Sequence, residues 1–504
     1  MSAYQPIENI VIAGGGTAGW LAAATLGNIF ANTSTQITLI ESSQIGTIGV
    51  GEATIPPFIA VIESLGIDLV DFIQQTQASF KWGIQFPNWR KKDHSYFHPF
   101  GTVGKTIDGH DFFQCWLKTL EGKDAMPLMA HSKEAILAEQ GRFFKPFEAA
   151  NTPLASAQFA LHVDANLVVK YLKRFCEGKG VKHIDGKIEK VSTHPSGDIA
   201  SLTLDDGQLV NGDFFIDCTG FKGLLIEETL ASGYEDWRCY LPCNKAVTVP
   251  TQTSEPLNPF TIATAQDAGW TWKIPLQHRT GNGYVFADDY IDDDRALNTL
   301  LNQVGEPLQG EPQFIPFKTG IRKQPWKANC LSLGLAQGFL EPLESTAIHL
   351  VSKSLALFVR TFPNKENNEL LRNEFNRRLR ADYEEIRDFL ILHYCETERE
   401  DTPFWRWCKH EMPIPASLQQ KLDFFKRGGG LIPQVEALFQ PTSWYAVFEG
   451  MGVRPDAYNP TLNALDANAL GKSLSAGAKS LQTLANTQPL HKAFLDQYCC
   501  APKP

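Results

Sequence analysis

Gly14-x-Gly16-x-x-Gly19, inside IAGGGTAGW, and Glu41, closing QITLIE, have the types and spacing to hold a dinucleotide. Gly14 permits a tight turn, Gly16 lets the backbone approach a pyrophosphate, and Gly19 lets a helix pack against a sheet. Thr17 and Ala18 follow at the helix start, where unpaired N–H groups and the helix dipole favour phosphate. An acid about twenty residues on accepts hydrogen bonds from a ribose diol and disfavours a 2′-phosphate, which favours NAD or FAD over NADP. A second chemical group is Lys81, set in FKWGIQF between Phe80 and Trp82. It admits two readings. Lys81, Gly83 and Gln85 alternate with apolar residues, as the wet face of a half-buried strand would. Alternatively the ammonium stands in an apolar environment and does chemistry there.

The elements around the glycines form a complete βαβ unit. Residues 8–13 are an apolar run suited to a buried parallel strand, a helix rich in Ala and Leu follows from about Thr17 to Ala31, and a second strand ends at Glu41. By contrast KRGGGLIP at 426–433 has no strand leading in, and reads as a plain glycine turn. Only one fingerprint occurs. Downstream lie a strand-like GDFFIDCTGF (212–221) and the run 329–358, which reads as a strand, a Gly-rich turn and a helix. Two-domain flavoproteins gather three such pieces around FAD, the last helix pointing its N-terminus at the flavin end. The predicted fold class is α/β: a Rossmann-type FAD-binding module, monooxygenase-like, with an interleaved mixed-sheet substrate module over 1–375. A mainly helical, substrate-closing lobe follows over 376–504.

Bulk composition agrees with a large enzyme. The 504 residues are 43% apolar with a formal net charge of −10, which excludes a basic nucleic-acid footprint and a polybasic membrane patch. The ten cysteines contain no CxxC pair, so a zinc ribbon is not expected and the scatter suits thiols in a reducing compartment. The histidines, among them His94, His98 and His110, show no metal spacing and read as structural. Cys499 and Cys500 read as exposed tail thiols. No signal peptide is apparent, and no uncharged apolar stretch reaches the roughly 18 residues needed to span a bilayer. The expected location is cytoplasmic.

Six runs, in order, resemble the flavin-dependent halogenases of the tryptophan halogenase family: GGGTAGW, GVGEATIPPF (49–58), FKWGIQF, GWTWKIP (269–275), FLEPLESTAIHL (339–350) and HYCETEREDTPFW (393–405). The resemblance implies that reduced FAD, O2 and halide yield hypohalous acid. It implies that Lys81 receives this oxidant, as a hydrogen bond donor or as a haloamine, and that Glu344 is the second catalytic residue. Desolvation of Lys81 favours its neutral amine. For Glu344 a plain helix N-terminal carboxylate is the other reading. Gly51, Glu52 and Ala53 fall in the family's strap beside FAD, and Leu335 and Ile348 in its flavin-facing turn and helix. Ser345, Thr346 and Ala347 stand where backbone N–H groups cradle halide. Ala347 replaces a usual glycine and Leu335 stands where related monooxygenases bind the ribityl chain through Asp. These departures imply bromide preferred to chloride, and loosely held FAD delivered reduced by a separate NAD(P)H-dependent flavin reductase.

Trp270 and Trp272, alternate residues of GWTWKIP, read either as core or as a wall between flavin and substrate. Trp444, Tyr445 and Phe448 read either as helix packing or as a sandwich for an indole-like ring. The implied substrate is a simple indole or another electron-rich aromatic, since the zwitterion-binding pattern for free tryptophan is incomplete. Two other functions share the FAD motifs: an aromatic hydroxylase, which would not need Lys81, and a non-catalytic flavin-binding protein.

Overall fold

β1 (Asn9–Ala13), α1 (Thr17–Phe30) and β2 (Gln36–Glu41) form the βαβ unit that the glycine spacing predicts. From Ile10 on, β1 is buried on both faces, as an unbroken apolar run must be inside a parallel sheet. Ile12 lies opposite Leu39 on one side and Ile216 on the other. The six-stranded sheet runs, edge to edge, Trp326–Lys327, Cys330–Ser332, Phe214–Asp217, β1, β2 and Lys182–Asp185. Its pairings are parallel except at the Trp326–Lys327 edge. The three pieces read from sequence thus meet in one sheet. Asp217, fully buried, takes the backbone N–H groups of Thr219, Leu225 and Ile226 and the Thr219 hydroxyl, which fixes the chain as it leaves its strand.

The computed structural model describes residues 5–45, 51–253, 255–366 and 368–502. The chain makes two units, each assembled from three segments: 1–77, 163–238 and 316–384 in the first, 78–162, 239–315 and 385–504 in the second. This is an α/β chain with interleaved modules. The parallel sheet belongs to the first unit. The second is built on a seven-stranded sheet in the order Gln313–Pro316, Lys245–Thr251, Thr280–Phe286, Gly269–Pro275, Thr261–Gln266, Gly83–Pro87 and Ser95–Pro99. Thr261–Gln266 and Gly83–Pro87 run parallel, while the hairpin neighbours are antiparallel. Residues 385–504 carry helices of this same unit, including Pro403–His410, Ala416–Lys426, Pro441–Met451, Ala467–Asn486 and His491–Tyr498. The unit boundary falls inside the helix Glu369–Cys395, whereas the sequence places a boundary at 376.

Among the described residues no helix is long and apolar enough to cross a membrane, and no group of three or more His, Cys, Asp or Glu could hold a metal. Cys500 is exposed but Cys499 is buried, so only one of the two tail thiols faces solvent.

Candidate active site

In the first unit the glycine turn is built by close approach. Gly14 has φ +109, and a Cβ there would come 2.6 Å from the Cys218 carbonyl carbon. A Cβ on Gly19 would meet the Gly14 carbonyl, so the helix can pack down on the turn only because both are glycine. Gly16 is the N-cap of α1 and a Cβ on it would meet nothing within 4 Å. That is the open side on which a pyrophosphate can approach the helix N-terminus, so this turn fits a dinucleotide. Thr17 and Ala18 are half-buried beside it.

The third sequence piece reaches the same place. Gly334, at φ +60, starts the turn Gly334–Ala336, and a Cβ on it would lie 2.8 Å from the Ala18 Cβ and 3.8 Å from Val351. Leu335 is half-buried in this turn, and Ile348 is buried in the helix Ala347–Arg360. Glu41 lies across the turn from a residue that sequence reasoning passed over. A Cβ on Gly15 would come 2.5 Å from the Glu41 Cβ, with Oε2 nearer still. The carboxylate is held from three sides: Lys173 Nζ and His183 Nε2 each at 2.9 Å from Oε1, and Trp20 Nε1 donating to Oε2 at 3.2 Å. The GGG run was the available signal for Gly15. Nothing local announced Lys173 or His183.

Gly51, Glu52 and Ala53 form a short strand; Gly49 and Val50 of the same run lie outside the described residues. Burial, and then the charge of Asp164, raise the Glu52 carboxyl to about 7. Asp164 itself caps the helix Ala165–Glu177 through the N–H groups of Asn166 and Leu167.

Glu344 ends the short turn Pro342–Glu344 and is 1% exposed. Ser345 follows with φ +61, left-handed, and Thr346 returns to right-handed geometry as the N-cap of Ala347–Arg360. Successive left- and right-handed residues turn neighbouring N–H groups toward one point, an anion-binding nest. Ala347 is exposed at this helix start and Thr346 buried.

In the second unit Lys81 is fully buried. The alternation reading, which placed it in water, is overturned. It ends the three-residue strand Ser79–Lys81, all of it buried, and pairs with Ala160 of the strand Ala160–Asp164. Its Nζ stands 5.1 Å from the centre of the Phe100 ring. Phe80 stacks on Phe143 at 3.8 Å, with Phe159 and Phe494 edge-on. Trp82 joins the same ring cluster, its ring centre 4.7 Å from that of Phe143 and 6.3 Å from that of Phe159, with its indole N–H on the Arg142 carbonyl. Behind the strand are two buried histidines that sequence reasoning had grouped as structural. His162 bridges Ser79 Oγ and Thr261 Oγ1, each at 3.0 Å. Burial, then the charge of Lys81, hold its pKa well below the usual value.

Trp270 and Trp272 share one face of Gly269–Pro275, ring centres 6.1 Å apart, and Trp272 lies over Gly283, where a Cβ would meet its indole at 2.7 Å or less. Trp444, Tyr445 and Phe448 are buried in one helix. Trp444 packs edge-on to Phe389 and Tyr445 stacks on Phe113. Phe448 stacks on Phe425. These three rings are engaged in packing within the second unit.

The sequence profile of the tryptophan halogenase family matches residues 9–467. The chain belongs to the tryptophan halogenase family. It is 33% identical to the tryptophan 7-halogenase RebH of Lentzea aerocolonigenes, across 97% of this chain and 98% of that one. Among solved structures, a flavin-dependent halogenase from Xanthomonas campestris superposes with TM-score 0.95 at 41% identity, over 99% of this chain and all of its own. BrvH, a flavin-dependent halogenase from Brevundimonas sp. BAL3, superposes with TM-score 0.94 at 40% identity, covering 98% and 99% of the two chains. This halogenase is therefore an enzyme that uses reduced flavin and halide to halogenate aromatic substrates.

Proposed function

We propose that this halogenase relays hypohalous acid through Lys81 to a simple indole or another electron-rich aromatic, and uses bromide better than chloride. The full burial of Lys81, with its Nζ 5.1 Å from the centre of the Phe100 ring, carries the reading. Reduced FAD, when bound, supplies the electrons that turn O2 and halide into hypohalous acid. Gly14, Gly16, Thr17, Ala18 and Gly19 would hold its pyrophosphate side, with Glu41 at the ribose. A carboxylate offers about four lone-pair positions, so Glu41 can accept a diol while keeping its own partners. Gly51, Glu52, Ala53, Leu335 and Ile348 would line the remainder. Thr346 and Ala347 would offer halide their N–H groups, and Ala347, narrower in φ/ψ than glycine, biases the choice toward bromide.

In the transfer step the ring carbon–halogen bond forms as the oxygen–halogen bond breaks. Glu344 takes the proton lost from the ring and passes it to the leaving hydroxide, making water, while a Lys81 N–H holds the oxidant by hydrogen bond. Exclusion of water around Lys81 strengthens its hydrogen bond to the oxidant. A separate NAD(P)H-dependent reductase supplies the reduced flavin, and the helices of 376–504 close the substrate pocket, with Trp444, Tyr445 and Phe448 as its scaffold.

The test supplies reduced FAD, O2 and indole with equimolar bromide and chloride, and reads products by mass spectrometry. Brominated indole is expected in excess. Hydroxylated product without halide dependence would overturn the halogenation of indole, and a chloride excess would overturn the halide ranking. Lys81→Met is expected to abolish product while reduced FAD is still consumed. A Lys81→Met variant that brominates normally would remove Lys81 from the reaction.

A further inference from the structure

Among the described residues, the strand Ser79–Lys81 has one neighbour on its ladder, Ala160–His162, through the pairs Ser79–His162, Phe80–Leu161 and Lys81–Ala160. The Phe80 N–H turns away from that neighbour. It is buried, and it donates to His491 Nε2 at 3.2 Å, across 411 residues of sequence. The other nitrogen of His491, Nδ1, donates to the Leu257 carbonyl at 2.9 Å. That bond fixes the tautomer and leaves Nε2 as an acceptor. His491 is fully buried at the start of the helix His491–Tyr498, and its own N–H donates to the Gly141 carbonyl at 2.8 Å. Around it the tail is fastened again. Phe143 N–H donates to the Pro489 carbonyl at 3.1 Å, the Arg142 guanidinium donates to the Gln488 carbonyl, and Phe494 packs edge-on to Phe80 and Phe143.

We infer that His491 is a positioning residue for Lys81: an imidazole from the C-terminal helix takes the place of a second ladder partner and holds the Ser79–Phe80 peptide, one residue before the lysine. This rests on the reading of Lys81 as the group that passes on the oxidant. Past the lysine the chain is fixed by the Trp82 N–H, which donates to the Pro259 carbonyl at 2.8 Å, and by the Phe100 N–H, which donates to the Trp82 carbonyl at 2.9 Å, so the freedom left to Lys81 lies on its N-terminal side. With Ser79 tied through His162 to Thr261 on one side and Phe80 tied to His491 on the other, the Cα of Lys81 has no such freedom. Burial keeps His491 neutral, at about 4, so its Nε2 remains an acceptor at working pH. The C-terminal segment 488–498 thereby belongs to the transfer machinery, although none of its side chains has to touch the oxidant.

The test uses the full chain as wild type, His491→Ala, His491→Gln and Lys81→Ala. Three quantities are read: brominated indole formed per reduced FAD oxidised, hypobromous acid released to a β-diketone trap, and amide hydrogen exchange in peptides over 78–82 and over 9–41. Displacing a catalytic group by about 1 Å costs on the order of 100-fold. His491→Ala is therefore expected to lower kcat for indole bromination by about 10- to 100-fold with KM unchanged. Trapped oxidant should be undiminished and exchange should be faster only over 78–82. His491→Gln, whose amide oxygen can accept from Phe80, is expected to recover part of the loss. If oxidant and product fall together in both variants and exchange rises in both peptides, His491 merely keeps the protein folded and the inference is overturned. If Lys81→Ala loses product while His491→Ala matches wild type, the inference fails and the reading of Lys81 stands. If Lys81→Ala retains full bromination, that reading fails, and the inference with it.

Discussion

Gly15 and Gly16 are adjacent, yet substitution at each should fail for a different reason. Alanine at 15 would place its Cβ 2.5 Å from the Glu41 Cβ and 2.6 Å from its Cδ, against a comfortable separation of about 3.5–4.0 Å. The carboxylate must retreat by about 1 Å or more, which breaks its contacts to Trp20, Lys173 and His183. Buried charged hydrogen bonds are worth about 1.5–3 kcal/mol each. Here the side chains of Glu41, Lys173 and His183 are 20%, 38% and 29% exposed, so solvent reduces each to about 0.2–1 kcal/mol. The three together come to roughly 1–3 kcal/mol. Restricting the unfolded chain returns about 0.4–1 kcal/mol of this. A net loss of about 1–2 kcal/mol lowers the melting temperature by a few degrees. Losing the ribose partner should also weaken FAD by about tenfold or more.

Alanine at 16 meets nothing within 4 Å. Its poorer N-cap preference and the stiffer unfolded chain offset each other to within about 1 kcal/mol. Stability is expected to stay at the wild-type level while FAD binding weakens by about tenfold or more, because the added methyl fills the side on which a pyrophosphate must approach. Thermal melts without flavin, and FAD titrations followed by flavin fluorescence, separate the two effects. A Gly16→Ala protein that binds FAD as well as wild type would refute the assignment of this turn to the pyrophosphate. A Gly15→Ala protein with an unchanged melting temperature would refute the account of Glu41 as a braced carboxylate.

Two pH effects follow from buried groups. Glu52 binds its proton more tightly folded, at about 7, than unfolded, at 4.5, so stability is lost as pH rises from 4.5 to 7; Glu52→Gln should narrow the gap in melting temperature between pH 5 and pH 8 by the equivalent of about 1–3 kcal/mol. His491 behaves oppositely: its pKa falls from 6.5 unfolded to about 4 folded, so its stabilising neutral state is lost as pH drops through that window. That costs about 3 kcal/mol by pH 4, and urea unfolding of His491→Gln should show a flatter acid limb.

The residues that act through local spacing were legible. Gly14, Gly16, Gly19 and Glu41 lie within one βαβ unit, where their spacing shows, although the approach of Gly14 to Cys218 and the Lys173 and His183 partners of Glu41 come from far along the chain. The strand Phe214–Asp217 and the turn at Gly334 were also visible as apolar runs with glycine punctuation, and they meet the first unit as expected. Lys81 was harder. Period-two alternation predicts a wet face only when a strand has one, and Ser79–Lys81 is covered on both faces. What covers it comes from residues near 100, 160 and 491, whose approach leaves no trace in the seven residues of FKWGIQF. His491 illustrates the same difficulty: a lone histidine in a tail carries no spacing signal, and its meaning lies in a bond to a backbone amide 411 residues away. Gly15 was hidden by its neighbours, because a three-glycine run offers the motif two glycines and leaves the third unexplained.

The environment of Lys81 also has a chemical character that sequence composition only hinted at. The ring that faces its Nζ is a phenyl ring, Phe100, while Phe143, Phe159, Phe494 and the Trp82 indole cluster around the neighbouring Phe80. Hypohalous acid attacks phenols, indoles and thiols readily, and unactivated benzene rings slowly. A phenylalanine ring beside the lysine amine lets the oxidant survive until it meets a better nucleophile. Phe100 stands foremost, with its ring centre 5.1 Å from the Lys81 Nζ. Phe100→Tyr would place a phenol within reach of the transferred halogen. In reduced FAD, O2 and bromide without indole, this variant should brominate its own ring: the carbon–bromine bond forms, the oxygen–bromine bond breaks, and the displaced ring proton leaves with hydroxide as water. Peptide mass spectrometry should then find one bromine on the side chain at position 100, absent when Lys81→Met is combined with it. Bromination at position 100 in that double variant would show the oxidant arriving by diffusion alone. An unmodified phenol at position 100 in the single variant, with free oxidant plainly present in the trap assay, would mean that the halogen never passes this ring.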